Sequence, residues 1–188
     1  MVVITKDGVD GEFLPAFGST PGQSLRARMI RPITRWRRAV HAERYMEPRQ
    51  RHLDIGCGDG FFLRRSRCEE RYGLDEQLGD EVTDTLEFDD GFFDYVTMLA
   101  VIEHILFPEF LVREIARVMK PGGRFIITTP KRGAEFFIKF YVKNIGEEHE
   151  TYFDLERMRM LTEEYFKLVG HHTFIFGLNQ AFCFEKIG

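Results

Sequence analysis

RHLDIGCGDGFFLRR, residues Arg51 to Arg65, sets glycines at every second position directly behind a short apolar run. His52 to Ile55 reads as a buried strand and Phe61 onward as the opening of a helix, so Gly56, Gly58 and Gly60 form the bend between them. Glycine takes positive φ without steric cost and, having no side chain, lets a ligand lie against the backbone. One glycine makes a turn; several at alternate positions suggest a ligand-holding loop, which is where an α/β protein holds a nucleotide.

Downstream, ERYGLDEQ reads as a short strand ending at Asp75. That acid stands about 20 residues beyond the glycines, the offset at which a second parallel strand presents an acceptor to a ribose. A carboxylate can accept both hydroxyls of a vicinal diol. DYVTMLAVIEHI carries a nearly continuous apolar strand from Asp94 to about Leu99, as suits a parallel strand covered on both faces. FPEFLVREIARVMKPGG reads as an amphipathic helix through Leu111, Ile115, Val118 and Met119, stopped by Pro121 with Gly122 and Gly123 in the turn, and RFIITTP as the next strand. LERMRMLTEEYFKLVG reads as a helix ending at Gly170, and HHTFIFGLNQAFCFEKIG as a hairpin around Gly177 to Gln180. Between Asp75 and the fourth strand, Val82 to Thr85 reads as a short strand. Strands alternating with helices predict a doubly wound, Rossmann-like α/β fold, and a closing hairpin adds an antiparallel edge strand.

The 188 residues fit one domain, and 44% hydrophobic with 30% charged residues supply a full core. No stretch approaches the roughly 20 apolar residues of a membrane-spanning helix, and MVVITKDGVDGEFLPAFG has no signal-peptide core, so the reading is cytoplasmic. Cys57, Cys68 and Cys183 show no ligand spacing, which predicts free thiols and no metal. The net charge of -4 hides an asymmetry, because LRARMIRPITRWRRAVHAERYMEPRQR is crowded with arginine and has only Glu43 and Glu47 as acids. The organisation expected is an irregular arm over 1–24, a basic amphipathic helix over 25–47, a cofactor-binding core over 51–130, a substrate lid over 131–154, and a helix and hairpin over 155–188.

In order, LDIGCGDGFF, YGLDE, LEFDDGFFDYVTMLAVIEHI and REIARVMKPGGRFIITTP resemble the motifs of class I S-adenosylmethionine-dependent methyltransferases, in particular the small enzymes related to the ubiquinone and menaquinone biosynthesis methyltransferases. The resemblance covers about Arg51 to Pro130 and implies a mostly parallel, seven-stranded sheet with a C-terminal antiparallel hairpin. It also implies S-adenosylmethionine as cofactor, with Asp54, Gly56, Cys57, Gly58 and Gly60 at its methionine portion and Asp75 on its ribose. A dinucleotide loop generally runs Gly-x-Gly-x-x-Gly to face a pyrophosphate, whereas here the third glycine comes one residue early, which favours the methyl donor over NAD. Asp54 equally suits a structural acid bracing the loop through backbone N–H groups.

The chain departs from the resemblance between Asp75 and Leu86, where no room is left for a full helix; Asp84 is the candidate for the adenine amino group. In-line attack on a sulfonium methyl asks mainly for alignment. A hydroxyl or phenol acceptor must also lose a proton, and imidazole is the natural base near neutral pH, which singles out His104 in VIEHI and His149 in GEEHETYF. Glu103 reads as a brace rather than a reacting group. Phe136, Phe137, Phe140, Tyr141, Tyr152 and Phe153 suit an apolar pocket for a small organic or lipid-like acceptor, or core. The arginine-rich helix admits a solvated sheet cap, contact with an anionic membrane or lipid, and, least, nucleic acid. The reading is a methyltransferase; the alternative is a non-catalytic S-adenosylmethionine-binding or partner-binding protein on the same fold.

Overall fold

A computed structural model describes residues 1–15, 25–78, 85–131 and 152–188, with the side chains of 25–31 and 78 outside that description. In chain order the elements are β1 (Val2–Thr5), β2 (Gly8–Asp10), α1 (Leu25–Glu43), β3 (Arg51–Ile55), β4 (Glu70–Leu74), β5 (Phe93–Leu99), α2 (Pro108–Val118), β6 (Met119–Pro130), α3 (Leu155–Thr162), β7 (Phe166–Phe174) and β8 (Asn179–Lys186). They form one sheet in the order β2-β1-β4-β3-β5-β6-β8-β7. The pairs β4/β3, β3/β5 and β5/β6 are parallel, a Rossmann-like centre, while β8 and β7 close it antiparallel.

The parallel strands are apolar because both their faces are covered. Leu53, Ile55, Val96, Met98, Phe125 and Ile127 are all buried, and each such side chain contributes about 1.5–3 kcal/mol over its exposed state. α2 starts with Pro108 in its first turn and turns Leu111, Val112, Ile115 and Val118 inward. α3 is capped by Asp154, whose carboxylate accepts the Arg157 N–H at 2.8 Å.

Four expectations change. Residues 1–24 are not wholly irregular: Val2–Thr5 and Gly8–Asp10 form a hairpin, and β1 runs antiparallel to β4 in the register Val2↔Gly73, Val3↔Tyr72, Ile4↔Arg71. Val2 and Ile4 point into the core and alternate with Val3 and Thr5. The sheet therefore has eight strands among the described residues, the hairpin extending it beyond β4. Behind the glycines stands only a single 3-10 turn, Leu63–Arg65, in the connection that joins β3 to β4.

The other two changes lie further along. Helix α2 ends at Val118, and Met119–Pro130 is one strand that takes in Pro121, Gly122 and Gly123, with a register shift opposite Phe93 and Tyr95. Helix α3 ends at Thr162 rather than Gly170, since Phe166–Phe174 pairs along β8. Gly170 is not a helix cap; a Cβ there would press on the Tyr45 ring at 2.5 Å. The short strand expected over Val82 to Thr85 falls largely on residues outside those described.

Helix α1, observed over Leu25–Glu43, is fastened to the C-terminal hairpin. Tyr45 Oη lies 2.8 Å from His172 Nδ1, His172 Nε2 lies 2.7 Å from His41 Nδ1, and the His41 ring stacks on Phe174. Burial, with the nearby Arg44, lowers His41 to about 4.

Candidate active site

Strand β3 is followed on one side by β4 and on the other by β5, so the chain reverses direction across the sheet at β3/β5. Ligands of open α/β sheets lie in the crevice outside the carboxyl ends of the strands at such a point. The glycine loop follows β3 there and the Ala100–Val101 turn follows β5. The two loops touch, since a Cβ at Gly56 would overlap the Val101 side chain. Gly56, Gly58 and Gly60 have φ of +76°, +53° and +72°, which accounts for all three glycines.

Two backbone N–H groups, those of Gly56 and Cys57, donate to the Leu74 carbonyl at 2.7 and 3.1 Å and pull the loop over the end of β4. Asp75 fixes it next: Oδ2 accepts the Gly58 N–H at 2.9 Å and Oδ1 the Gln77 N–H at 3.0 Å. Bracing of the loop, weighed for Asp54, is thus done by Asp75. Cys57 is buried, with its sulfur against the α-carbon side of Gly73. Gly58 differs from its neighbours: among the described residues nothing lies within 4 Å of the position its Cβ would take. Its backbone N–H is held by the Asp75 carboxylate.

Asp54 belongs to a buried chain of polar groups that residue spacing did not suggest. Register pairs it with Thr97. Thr97 Oγ1 donates to Asp54 Oδ1 at 2.6 Å and lies 2.8 Å from His52 Nε2, which therefore carries the proton. Burial pushes Asp54 up to about 7, opposed by the Thr97 hydrogen bond and helped by Asp75. Burial, with Arg71, lowers His52 to about 3. Burial thus favours the neutral form of Asp54.

Beyond β5 the chain passes through Ala100, a non-glycine residue at φ +63° whose N–H donates to the Thr128 carbonyl at 2.7 Å. A 3-10 turn, Ile102–His104, follows. His104 is exposed there, whereas Glu103 is 3% exposed, and its Oε2 has no hydrogen-bond partner among the described residues. The hydroxyl of Thr128, at the carboxyl end of β6, is in the same condition, and that of Thr129 lies beside the Glu103 carboxylate. Burial raises the Glu103 pKa, opposed by the charges of Arg38 and His104. Arg38 itself donates from Nε to Asn179 Oδ1 at 3.3 Å. The sequence reads Glu103 as a brace; the signal available there is a carboxylate four residues beyond a strand end, next to apolar Ile102. Asp84, His149 and residues 132–151 of the expected lid lie outside the described residues.

A family profile for the methyltransferase domain matches residues 25–176. The chain belongs to the methyltransferase-domain family. Its fold and relatives are those of class I S-adenosylmethionine-dependent methyltransferases. It is 27% identical over 104 residues to a ubiquinone biosynthesis O-methyltransferase of Xanthomonas oryzae pv. oryzae, covering 44% of each chain. It is 34% identical over 110 residues to phosphoethanolamine N-methyltransferase 2 of Caenorhabditis elegans, covering 46% of this chain and 25% of the relative. The methyltransferase domain thus spans less than half the length of these relatives. Among solved structures it resembles the putative methyltransferase bound to the Trm112 activator of Haloferax volcanii, with a TM-score of 0.68 at 16% identity over 87% of this chain and 94% of that one. Haemonchus contortus phosphoethanolamine N-methyltransferase 2, solved with S-adenosyl-L-methionine, has a TM-score of 0.61 at 16% identity over 81% and 53%. At these identities the likeness concerns the fold.

Proposed function

We propose that this methyltransferase domain binds S-adenosylmethionine across the glycine loop and transfers its methyl group to a small organic or lipid-like acceptor. The observation that carries the reading is the direction above Gly58, at positive φ beside the Asp75 carboxylate and empty among the described residues. The residues suit that cofactor: a loop without phosphate-binding spacing, a buried acid at the methionine end, and an acid at the end of β4 able to accept from a diol. When bound, the cofactor supplies a methyl group already activated on a sulfonium.

What the chain must contribute is alignment and a dry pocket, since proximity and orientation carry much of such a displacement. Asp54 orients the charged end and Asp75 the ribose. On the acceptor side, Glu103 Oε2 and the Thr128 hydroxyl are buried without partners among the described residues. Buried polar atoms left without partners call for an explanation, and a hydroxyl or amine of the acceptor supplies one. In this reading Glu103, whose pKa burial raises, receives the acceptor's proton.

The test is transfer of label from [methyl-³H]S-adenosylmethionine to a panel of catechols, quinols, amines and phospholipids. Labelled product from one class, lost in Gly58→Val, is the expected result. Cofactor binding without label on any member would instead favour a non-catalytic binder.

A further inference from the structure

β4 lacks the third parallel strand that a doubly wound half places beside it. The N-terminal hairpin stands there instead, with β1 hydrogen-bonded along β4 and β2 outside β1. Because β2 runs back along β1, in the register Val3↔Asp10, it delivers the chain at Gly11 to the same end of the sheet as Leu74 and Asp75. Residues 11–15 then cross onto the glycine loop.

The contacts they make there are specific. The Phe13 ring occupies the place a Cβ of Gly60 would take, so the third glycine is the seat of an aromatic ring. The Leu14 N–H donates to the Gly58 carbonyl at 3.3 Å. Arg64 stacks its guanidinium 4.2 Å from the Phe13 ring centre, while its backbone N–H donates to the Gly60 carbonyl at 2.9 Å and its Nη1 to the Asp59 carbonyl at 2.6 Å. The loop is thereby gripped at 58, 59 and 60, and the direction above Gly58 is left clear.

We propose that the N-terminal hairpin and residues 11–15 behind it form part of the cofactor site, with Phe13 as a positioning residue that holds the glycine loop in the shape that receives S-adenosylmethionine. The inference rests on the reading of that loop as the cofactor site. Glycines buy their positive φ at the cost of conformational freedom, so a loop built on three of them populates its ligand-ready shape only if something holds it. Phe13 and Arg64 supply the hold, and β1 ties the hairpin that leads to Phe13 to β4.

The test pairs calorimetric titration of S-adenosylhomocysteine with amide hydrogen exchange on the full chain, in wild type, Phe13→Ala, Phe13→Leu and Arg64→Ala. Phe13→Ala is expected to raise the Kd about tenfold, the effect of reducing the competent loop to about a tenth of the population. Phe13→Leu should recover most of the affinity, and Arg64→Ala should fall between. Exchange at Gly58 and Gly60 should quicken in Phe13→Ala while the core strands β3 and β5 keep their protection, which a general loss of stability would not do. Wild-type affinity in Phe13→Ala, or unchanged exchange at Gly58 and Gly60, overturns the inference. Failure of the wild-type protein to bind S-adenosylhomocysteine would overturn the cofactor reading instead, and exchange would still decide whether Phe13 holds the loop.

Discussion

Replacing Asp54 by asparagine should change how the protein's stability depends on pH, and replacing His52 by phenylalanine should change it in the opposite sense. Burial lifts Asp54 from 3.8 to about 7, so the folded protein keeps a proton that the unfolded chain releases above 3.8. The stability contributed by Asp54 is therefore present at low pH, falls as pH rises through that window, and is gone above about 7. His52 is lowered from 6.5 to about 3, so the unfolded chain binds a proton below 6.5 that the folded protein refuses. Its contribution is lost at low pH and recovered as pH rises from about 3 to 6.5. At about 1.36 kcal/mol per pH unit, Asp54 removes about 4 kcal/mol across its window and His52 restores about 5 across its own, so in the wild type the two nearly cancel. Asp54→Asn leaves the His52 slope alone, and the variant should gain stability between about pH 4 and 6.5. His52→Phe leaves the Asp54 slope, and that variant should lose stability over the same range. Urea unfolding at a series of pH values reads the midpoints, provided the m-value holds constant. The exposed carboxylates form a background common to both variants, so the difference between them isolates the pair. Parallel slopes in the two variants would refute the buried chain His52–Thr97–Asp54.

Three further outcomes follow from the same geometry. Gly58→Ala meets no neighbour and should lose only the roughly 1–2 kcal/mol of a left-handed residue, whereas Gly56→Ala also overlaps Val101; thermal unfolding should rank Gly56→Ala well below Gly58→Ala. Ala100→Gly relieves a φ of +63° and should raise stability by about 1 kcal/mol, or about 2–4 °C for a chain of this size; a lower midpoint would count against strain there. Arg117 donates to Glu114, Asp90 and the carbonyls of Leu86 and Phe88. Its replacement by alanine should cost about 2–4 kcal/mol and quicken amide exchange over residues 86–92, and an effect below 0.5 kcal/mol would show that this network adds little.

The parts of the fold legible in the sequence are those written in local pattern. Alternate glycines behind an apolar run, an acid ending the next strand, and the helical period of Leu111, Val112, Ile115 and Val118 each reflect chemistry within a few residues. The N-terminal hairpin was not legible because four residues, Val2–Thr5, carry only two buried positions, and their partner in pairing lies about 70 residues away. The helix expected after Phe61 is replaced by the 3-10 turn Leu63–Arg65, and the long C-terminal helix failed because pairing with β8 outweighs the helical period of residues 163–170. The chain His52–Thr97–Asp54 joins residues on two strands. Its one clue was a threonine inside the otherwise apolar run Tyr95–Leu99, which makes sense only once Asp54 is known to stand opposite Thr97. The role of Phe13 was hidden for the same reason: nothing in GEFLP says which glycine it covers.

The most direct test of the account is calorimetric titration of the purified protein with S-adenosylmethionine and S-adenosylhomocysteine, in parallel with Gly58→Val. The geometry predicts binding of both adenosyl compounds at a single site, abolished by a side chain placed in the open direction above Gly58. Binding of neither by the wild-type protein, or equal binding by Gly58→Val, would contradict the assignment of the glycine loop as the cofactor site.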